Sequence, residues 1–457
     1  MFHVKHFYQE TITAIATPLA SSGIGIIRVS GDKALGILKK LIRPKGKMIR
    51  PKVMVNSWLY EIKTGEKIDR VVACYWRGPK SYTGEDLVEI YCHGGVAILQ
   101  AALEETIKAG ARLAEPGEFT KRAFTNGKID LSQAEAVIEL ISSKTRRGAG
   151  VALKQLEGQL TKRIKKIRDA IIKIEAEIEA TIDFPDEVKK LNNKKLAKRL
   201  RGIEEEIRIK VASSKENRIF RQGIKTVIAG RTNAGKSSLM NALLKEERAI
   251  VTNIAGTTRD SLEEFYEVAG FPLLITDTAG VKKPKDRAEE AGIKRAGDEI
   301  NNADILLVVL DGTKHIGQKE QQLISKLKQQ CGLVVVNKID LKVKVKASQL
   351  KGRKIVWVSA KTREGIPRLE KELTRLINNN YRPTGKDSVY LGVRHREALE
   401  RSLESLKRAY QGCLSGLTEE EIATDLKAAI IALGEISGET VSEEVINEIF
   451  SRFCVGK

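Results

Sequence analysis

The sequence predicts a multidomain α/β protein: an α+β domain first, then a helical domain in two pieces, with a parallel-sheet domain inserted between them. Three observations lead there. Residues 1 to about 125 mix short β-type runs with helical stretches. From Leu131 the apolar period becomes that of a helix. Between Gly223 and Asn380 short apolar strands alternate with helices, and the chain is helical again beyond Tyr381.

In the first region TITAIAT, GIGIIRVS, RVVACYW and DLVEIYCH read as strands and VAILQAALEETIKAG as a helix. LSQAEAVIELISSKT opens the helical part. Ser132 serves there as its expected cap, with Glu135 three residues later. A long charged helix follows and breaks at DFPDE (Asp183–Glu187), because Pro185 cannot continue it. A further helix is expected to about Ser214. IKTVIAG, PLLITDTAG, DILLVVLD, LVVVNKID and KIVWVSA then read as buried parallel strands whose carboxyl ends carry polar loops. The expected domains are 1–125, 126–222, 223–380 and 381–457, the second and last forming one discontinuous helical domain.

The 457 residues suit two to four domains, and 42% hydrophobic with 30% charged is the composition of a globular protein. No apolar run of about 18 residues spans a membrane, and the opening residues lack a secretion signal, so a cytoplasmic protein is expected. Five cysteines without Cys-x-x-Cys spacing suggest neither a disulfide framework nor a zinc site. The net charge of +21 points to an anionic macromolecular partner, with nucleic acid the first candidate. Lys and Arg cluster at Lys162–Arg168, at Lys189–Arg201, and after Val281 and Leu341.

GRTNAGKS (Gly230–Ser237) follows a strand and opens a helix, the context in which G-x-x-x-x-G-K-[ST] is a phosphate-binding loop. Its glycines let backbone N–H groups surround a β-phosphate. Lys236 serves the β- and γ-phosphates, and the Ser237 hydroxyl suits Mg²⁺. NKID (Asn337–Asp340) selects guanine, because the Asp340 carboxylate accepts from guanine N1–H and the 2-amino group. Asn337 fixes that loop and the Lys338 stem covers the base. SAK (Ser359–Lys361) offers backbone N–H groups to guanine O6. In DTAG (Asp277–Gly280) Asp277 holds Mg²⁺ through water and the Gly280 N–H senses the γ-phosphate. These motifs, in this order, define a Ras-like P-loop GTPase domain. The residue after DTAG is Val281, which cannot orient water as a Gln would. Asp286, Glu289 and Glu290 follow as alternatives, and Arg259 stays open as an arginine finger. Asn233 with TNIAGTTRD suggests instead a monovalent cation as the source of positive charge.

The chain resembles the bacterial tRNA-modification GTPase family called MnmE or TrmE. The likeness rests on GIGIIRVSG, SYTGEDLVEIYCHGG, PGEFTKRAFTNGKIDLSQAEAV, DFPDE, GRTNAGKSSLMNAL, TNIAGTTRD, DTAG with EEAGI, and the terminal FCVGK. It implies a folate-binding-like N-terminal domain that dimerises, with Arg28, Glu89, Lys128 and Lys457 at a 5-formyl-tetrahydrofolate or related one-carbon folate. It implies GTP contacts from Asn233, Ala234, Gly235, Lys236, Ser237, Ser238, Thr252, Asn253, Ile254, Ala255, Gly256, Thr257, Thr258, Asp277, Thr278, Ala279, Gly280, Asn337, Lys338, Asp340, Ser359, Ala360 and Lys361. Ser237 and Thr258 match magnesium ligands, and Asn233, Thr252, Ile254 and Thr257 match potassium ligands. Glu289 matches a catalytic water-orienting Glu, beside Lys236. The family implies a homodimer that works with an FAD-containing partner of MnmG/GidA type in a heterotetramer. Together they add a carboxymethylaminomethyl group at C5 of the wobble uridine (U34) of certain tRNAs. Cys454 is the one candidate nucleophile, against a packing role. The rival is an Era-type ribosome-assembly GTPase switch, which would carry an RNA-binding appendage after the G domain; the helical segment after Tyr381 supplies none.

Overall fold

The computed structural model describes residues 10–44, 48–187, 192–244, 249–250, 264–277, 297–327, 330–381 and 391–457. The chain forms two compact units. The first comprises Met1–Ile138, Gln155–Ile203 and Ala398–Lys457; the second comprises Glu139–Lys154 and Glu204–Glu397. An inserted domain divides its host in two; here the host has three stretches, because Glu139–Lys154 groups with the second unit.

In the first unit six strands lie in the order β3-β4-β5-β2-β1-β6. They are β1 (Ile12–Ile15), β2 (Ser22–Ser30), β3 (Val55–Tyr60), β4 (Lys67–Trp76), β5 (Leu87–Gly94) and β6 (Arg112–Leu113). Neighbours run antiparallel, apart from the parallel β1/β6 pair. Alternation divides β5 cleanly: Val88, Ile90 and Cys92 join the core under α1 (Ala34–Leu41) and α2 (Val96–Lys108). Glu89, Tyr91 and His93 therefore point to the other face. The strand β3 was not expected, although VNSWLY buries every second residue.

The helical part rests on α6 (Gln159–Asp183). Ile164, Ile167, Ile171, Ile174 and Ile178 recur at three- and four-residue steps and are buried. Across from them run Leu426, Ala429, Leu433 and Ile436 of α12 (Glu419–Ser437), also buried. Arg168 to Glu439 and Lys427 to Glu179 bridge the exposed margins at 2.5 and 2.7 Å. As expected, α6 ends just before Pro185. Two details differ from expectation. The helix α4 (Leu131–Ser142) is capped by Asp130, whose carboxylate accepts from the Gln133 N–H while Gln133 Oε1 accepts from the Asp130 N–H. Ser132 is already inside the helix, so the capping box lies two residues earlier. The helix α7 (Asn193–Gln222) runs well past Ser214 and stops at Gly223, whose φ of +76° lies in the left-handed region.

The second unit holds a seven-stranded sheet in the order β13-β12-β11-β7-β10-β9-β8. Its strands are β7 (Ile224–Gly230), β8 (Ala249–Ile250), β9 (Glu264–Val268), β10 (Phe271–Asp277), β11 (Ile305–Asp311), β12 (Gly332–Asn337) and β13 (Ile355–Trp357). β10, β7, β11, β12 and β13 are parallel; β9 and β8 complete the edge antiparallel. Ile305–Leu310 are all buried, as a strand covered on both faces requires. Cores lie on both faces, one including Leu239, Leu273, Leu307, Val335 and Leu369, the other Leu306, Val308, Val334 and Leu350. α8 (Lys236–Leu244), α9 (Gln318–Lys326) and α10 (Ile366–Asn380) flank the sheet. Arg147, from the start of α5 (Arg146–Leu156), stacks over Phe271 at 4.4 Å in the same unit. The last helices are α11 (Val393–Ser415), α12 and α13 (Glu443–Ser451), the helical end that was expected. Among the described residues no helix is long and apolar enough to cross a membrane.

Candidate functional site

The parallel strands β7, β11 and β12 deliver their carboxyl ends to one edge of the sheet, where α/β proteins bind ligands. β7 ends at Gly230. A Cβ there would lie 2.3 Å from the Val309 carbonyl oxygen, so only glycine lets the loop leave this close to β11. Asn233 and Gly235 take φ of +64° and +89°, folding the backbone into a ring that starts α8 at Lys236. Lys236 is buried, and its ammonium donates to the Gly230 and Arg231 carbonyls at 3.1 and 3.2 Å. The loop is therefore wrapped around its own cation at a helix N-terminus, a combination that attracts phosphate. Ser237 and Ser238 lie exposed in the first turn of α8.

Asn337 joins this loop to the base side. Its Nδ2 donates to the Ala234 carbonyl at 3.0 Å and its Oδ1 accepts from the Ala360 N–H at 3.0 Å, with the residue itself buried. Three loops are thus held by one amide side chain. The Ala360 N–H, one of the backbone donors expected from SAK, is engaged by Asn337. Asp340 is exposed, and one of its oxygens accepts from Ser359 Oγ at 2.7 Å, which orients the carboxylate at the mouth. Ser359 Oγ in turn accepts from the Thr362 N–H at 3.1 Å.

Lys338, at φ +66°, donates to the Asn233 carbonyl and to Asp311 Oδ2, both at 2.7 Å. Asp311, at the end of β11, was not singled out in the sequence; the signal was its place after the strand DILLVVLD, one strand over from NKID. Burial pushes its carboxyl up, but hydrogen bonds from Lys338 and Thr313 outweigh this and hold it below the usual aspartate range. The pair fixes the lysine stem that was expected to cover the base. Asp277 ends β10 opposite Ile228 of β7. Its side chain, together with Thr252, Asn253, Ile254, Ala255, Gly256, Thr257, Thr258, Thr278, Ala279, Gly280 and Glu289, lies outside the described residues.

A second polar cluster sits on the sheet of the first unit. Arg28 of β2 stands directly opposite Glu89 of β5, and its Nε and Nη2 donate to Glu89 Oε1 at 3.0 and 2.7 Å. Tyr91 donates to Glu89 Oε2 at 2.8 Å; burial and that carboxylate hold its phenol well above the ordinary value. The Arg28 guanidinium lies 5.5 Å from the Tyr82 ring and 5.7 Å from the Phe119 ring. Its Nη1 reaches the Gly456 carbonyl at 3.2 Å, so the FCVGK tail packs onto the first strands. Gly456 has φ +93°, and a Cβ on it would lie 2.4 Å from the Ile15 carbonyl oxygen. Burial and the Arg28 charge hold the Lys457 ammonium below the ordinary lysine value. Cys454 is exposed, and its carbonyl accepts from the Gly117 N–H at 3.4 Å. Lys128 is placed beyond the Tyr82 loop, donating to the Pro79 carbonyl at 2.9 Å. Tyr82, Tyr91 and Phe119 were not singled out, although alternation along β5 places Tyr91 beside Glu89.

The chain is also similar to known proteins along nearly its whole length. Residues 11–128 match the family model described as the GTP-binding protein TrmE N-terminus, and residues 131–454 match the one described as the MnmE helical domain. The protein named tRNA modification GTPase MnmE from Aquifex aeolicus (strain VF5) is 43% identical over 451 residues, covering 98% of this chain and 100% of that one. Those of the same name from Alkaliphilus metalliredigens and Heliobacterium modesticaldum are 41% and 42% identical. They cover 99% and 98% of this chain, and 100% and 99% of their own. The sheet with its wrapped lysine, the guanine loop tied to it by Asn337, and likeness along nearly the whole chain place this protein in the MnmE (TrmE) family of tRNA modification GTPases.

Proposed function

We propose that the chain hydrolyses GTP to drive modification of tRNA. With an FAD-containing partner, it adds a carboxymethylaminomethyl group at C5 of the wobble uridine, U34. The observation that carries the GTP half is the Asn337 bridge. Phosphate loop and base loops are assembled without reorganisation, and Asp340 waits at their mouth for a base with adjacent donors. Likeness to tRNA modification GTPases over their full length supports the tRNA half.

In this reading Lys236 and the start of α8 oppose the charge that builds on the phosphates. Ser237 and Thr258 suit Mg²⁺, since hydroxyl oxygens are hard donors for a hard cation. Asn233, Thr252, Ile254 and Thr257 hold K⁺, whose charge replaces an arginine finger. Glu289 orients the attacking water, a task Val281 cannot perform. Arg28, Glu89, Lys128 and Lys457 receive a 5-formyl-tetrahydrofolate or related one-carbon folate. The Arg28–Glu89 pair presents donors and acceptors side by side, with the exposed Tyr82 ring as an apolar wall. The protein works as a homodimer and joins the flavoprotein partner in a heterotetramer. The domain limits 1–125, 126–222, 223–380 and 381–457 are retained as working boundaries.

The decisive experiment is mass spectrometry of wobble nucleosides in tRNA from a strain lacking the gene, complemented with wild type or Asp340→Asn. Loss of the C5 group in the deletion and in Asp340→Asn, with recovery by wild type, is expected. Unaltered nucleosides in the deletion strain refute the proposal.

A further inference from the structure

The net charge of +21 is larger than either site requires. Some of the basic residues are paired within the fold: in the helical clusters Arg168 pairs with Glu439 and Arg199 with Glu177, both at 2.5 Å. The stretch Leu341–Lys354 is different. It holds six Lys and Arg residues and no Asp or Glu. Among the described residues none of those six has an ion-pair partner. The preceding lysine, Lys338, is committed to Asp311. Six like charges on one short stretch repel each other and weaken the fold, so packing alone gives no reason for them.

Their arrangement is ordered. The Lys344 and Val345 N–H groups donate to the Gly312 carbonyl at 2.7 and 3.3 Å, which pins the segment beside the end of β11. Val345 is buried while Lys342, Lys344 and Lys346 are exposed. Three exposed lysines within five residues, with no acidic residue among them, make this a band of positive charge. A short 3₁₀ turn (Ala347–Leu350) then brings Lys351 and Arg353 to the rim of a cleft of about 460 Å³ shared with Gln321, Ser325 and Gln349. Ile316, Ile324 and Leu350 complete the lining of that cleft, and exposed cations beside it suit a backbone that repeats an anionic phosphate and a sugar.

We propose that the Lys342–Arg353 flank of the second unit is an RNA-binding surface that grips the sugar–phosphate backbone of the tRNA. It contacts backbone and reads no sequence. This rests on the tRNA reading above and adds to it the face of the molecule that meets the substrate. The first of these lysines follows Asp340 by two residues, so RNA held there lies next to the loop that selects guanine.

The test compares full-length wild type with two triple variants, Lys342→Gln/Lys344→Gln/Lys346→Gln and Lys162→Gln/Lys165→Gln/Lys166→Gln. The probe is an unmodified tRNA transcript titrated at KCl from about 50 to 200 mM, the range over which phosphate contacts are strongly salt-dependent. Each lost phosphate contact lowers the slope of log affinity against log salt by about 0.7–0.9, so the first triple variant should lose about 2 to 3. Its GTP affinity, basal hydrolysis and thermal unfolding should match wild type, and the second triple should change the slope less. An unchanged slope in the first triple, with wild type binding tRNA, overturns this proposal and leaves the tRNA reading standing. A wild-type chain that binds no tRNA overturns both. Loss of binding to phosphatidylglycerol vesicles by the first triple, with its tRNA slope unchanged, makes the flank a lipid contact and also overturns it.

Discussion

Gly456→Ala tests whether the FCVGK tail completes the second pocket. Two costs follow from the structure. The φ of +93° is one that an alanine resists by about 1–2 kcal/mol. The added Cβ would sit 2.4 Å from the Ile15 oxygen and 2.9 Å from Ala16 Cα, both backbone atoms that cannot rotate away. Overpacking of this kind costs about 1–3 kcal/mol. Together they weigh about 2–5 kcal/mol against the docked tail, a factor of about 30 to several thousand in its docking equilibrium constant. Undocking removes the Gly456 carbonyl from Arg28 and carries Lys457 away from Glu89. Apparent folate affinity then falls in proportion to the fraction still docked. Calorimetry with 5-formyl-tetrahydrofolate on wild type, Gly456→Ala and a chain lacking Cys454–Lys457 measures this, with GTP affinity as the control. Folate binding should weaken at least tenfold in Gly456→Ala and be weakest in the truncation, while GTP binding stays intact. Equal folate binding by all three would mean the tail is a packing element that takes no part in folate binding.

Asn337→Ala should leave the Ala234 carbonyl and the Ala360 N–H without their partner, at about 1–3 kcal/mol each, and lower GTP affinity at least tenfold; nucleotide titration at wild-type affinity would show that the three loops do not depend on the bridge. Asp340→Asn should weaken GTP and favour xanthosine triphosphate, checked by competition between the two; unchanged selectivity removes the guanine assignment. Glu289→Ala should lower turnover a hundredfold or more with GTP affinity nearly constant, and wild-type turnover should be faster in KCl than in NaCl at equal ionic strength. Normal turnover in the variant would move the water-orienting role to Glu290 or Asp286. The depressed Lys457 value gives a pH effect. Between the folded and the unfolded lysine values the unfolded chain binds more protons, so stability rises with pH across that window up to the ordinary value near 10.4. Urea unfolding of wild type and Lys457→Met at several alkaline pH values should show a smaller rise in the variant, since Lys144, whose value burial also lowers, contributes equally to both.

The nucleotide site was legible because its chemistry is local. A phosphate ring needs glycines and a lysine within one loop, and a guanine clamp needs its carboxylate within four residues of the fixing amide. What the motifs do not carry is what crosses between loops. Asn337 was expected to fix its own loop, yet it also binds Ala234 and Ala360, one on each neighbouring loop. Asp311 belongs to no motif and acquires its role only through the pairing of β11 with β12. The cap at α4 was misplaced because Ser132 and Asp130 are both good caps, and the reciprocal bond from Gln133 decides between them. Read locally, the tail had no reason to be ordered, and only the family likeness placed it on the first domain; Phe450 and Phe453 packing against Leu131 and Ala134 supply the physical reason. Glu89 looked like an acceptor awaiting a ligand, whereas the register of β2 on β5 sets it against Arg28.

The bond between Arg28 and Gly456 spans 428 residues of chain. A ribosome releases the strands of the first sheet early and the tail that closes their pocket last, with the nucleotide domain in between. The entropy of closing a loop grows only with the logarithm of its length, and a folded insert shortens the flexible part further. Folding of the nucleotide domain on the nascent chain therefore helps its host to close. A product cut short after that domain would carry the Lys236 loop and the Asn337 bridge with the Arg28 cluster lacking its tail, so synthesis order alone separates the assembly of the two clusters.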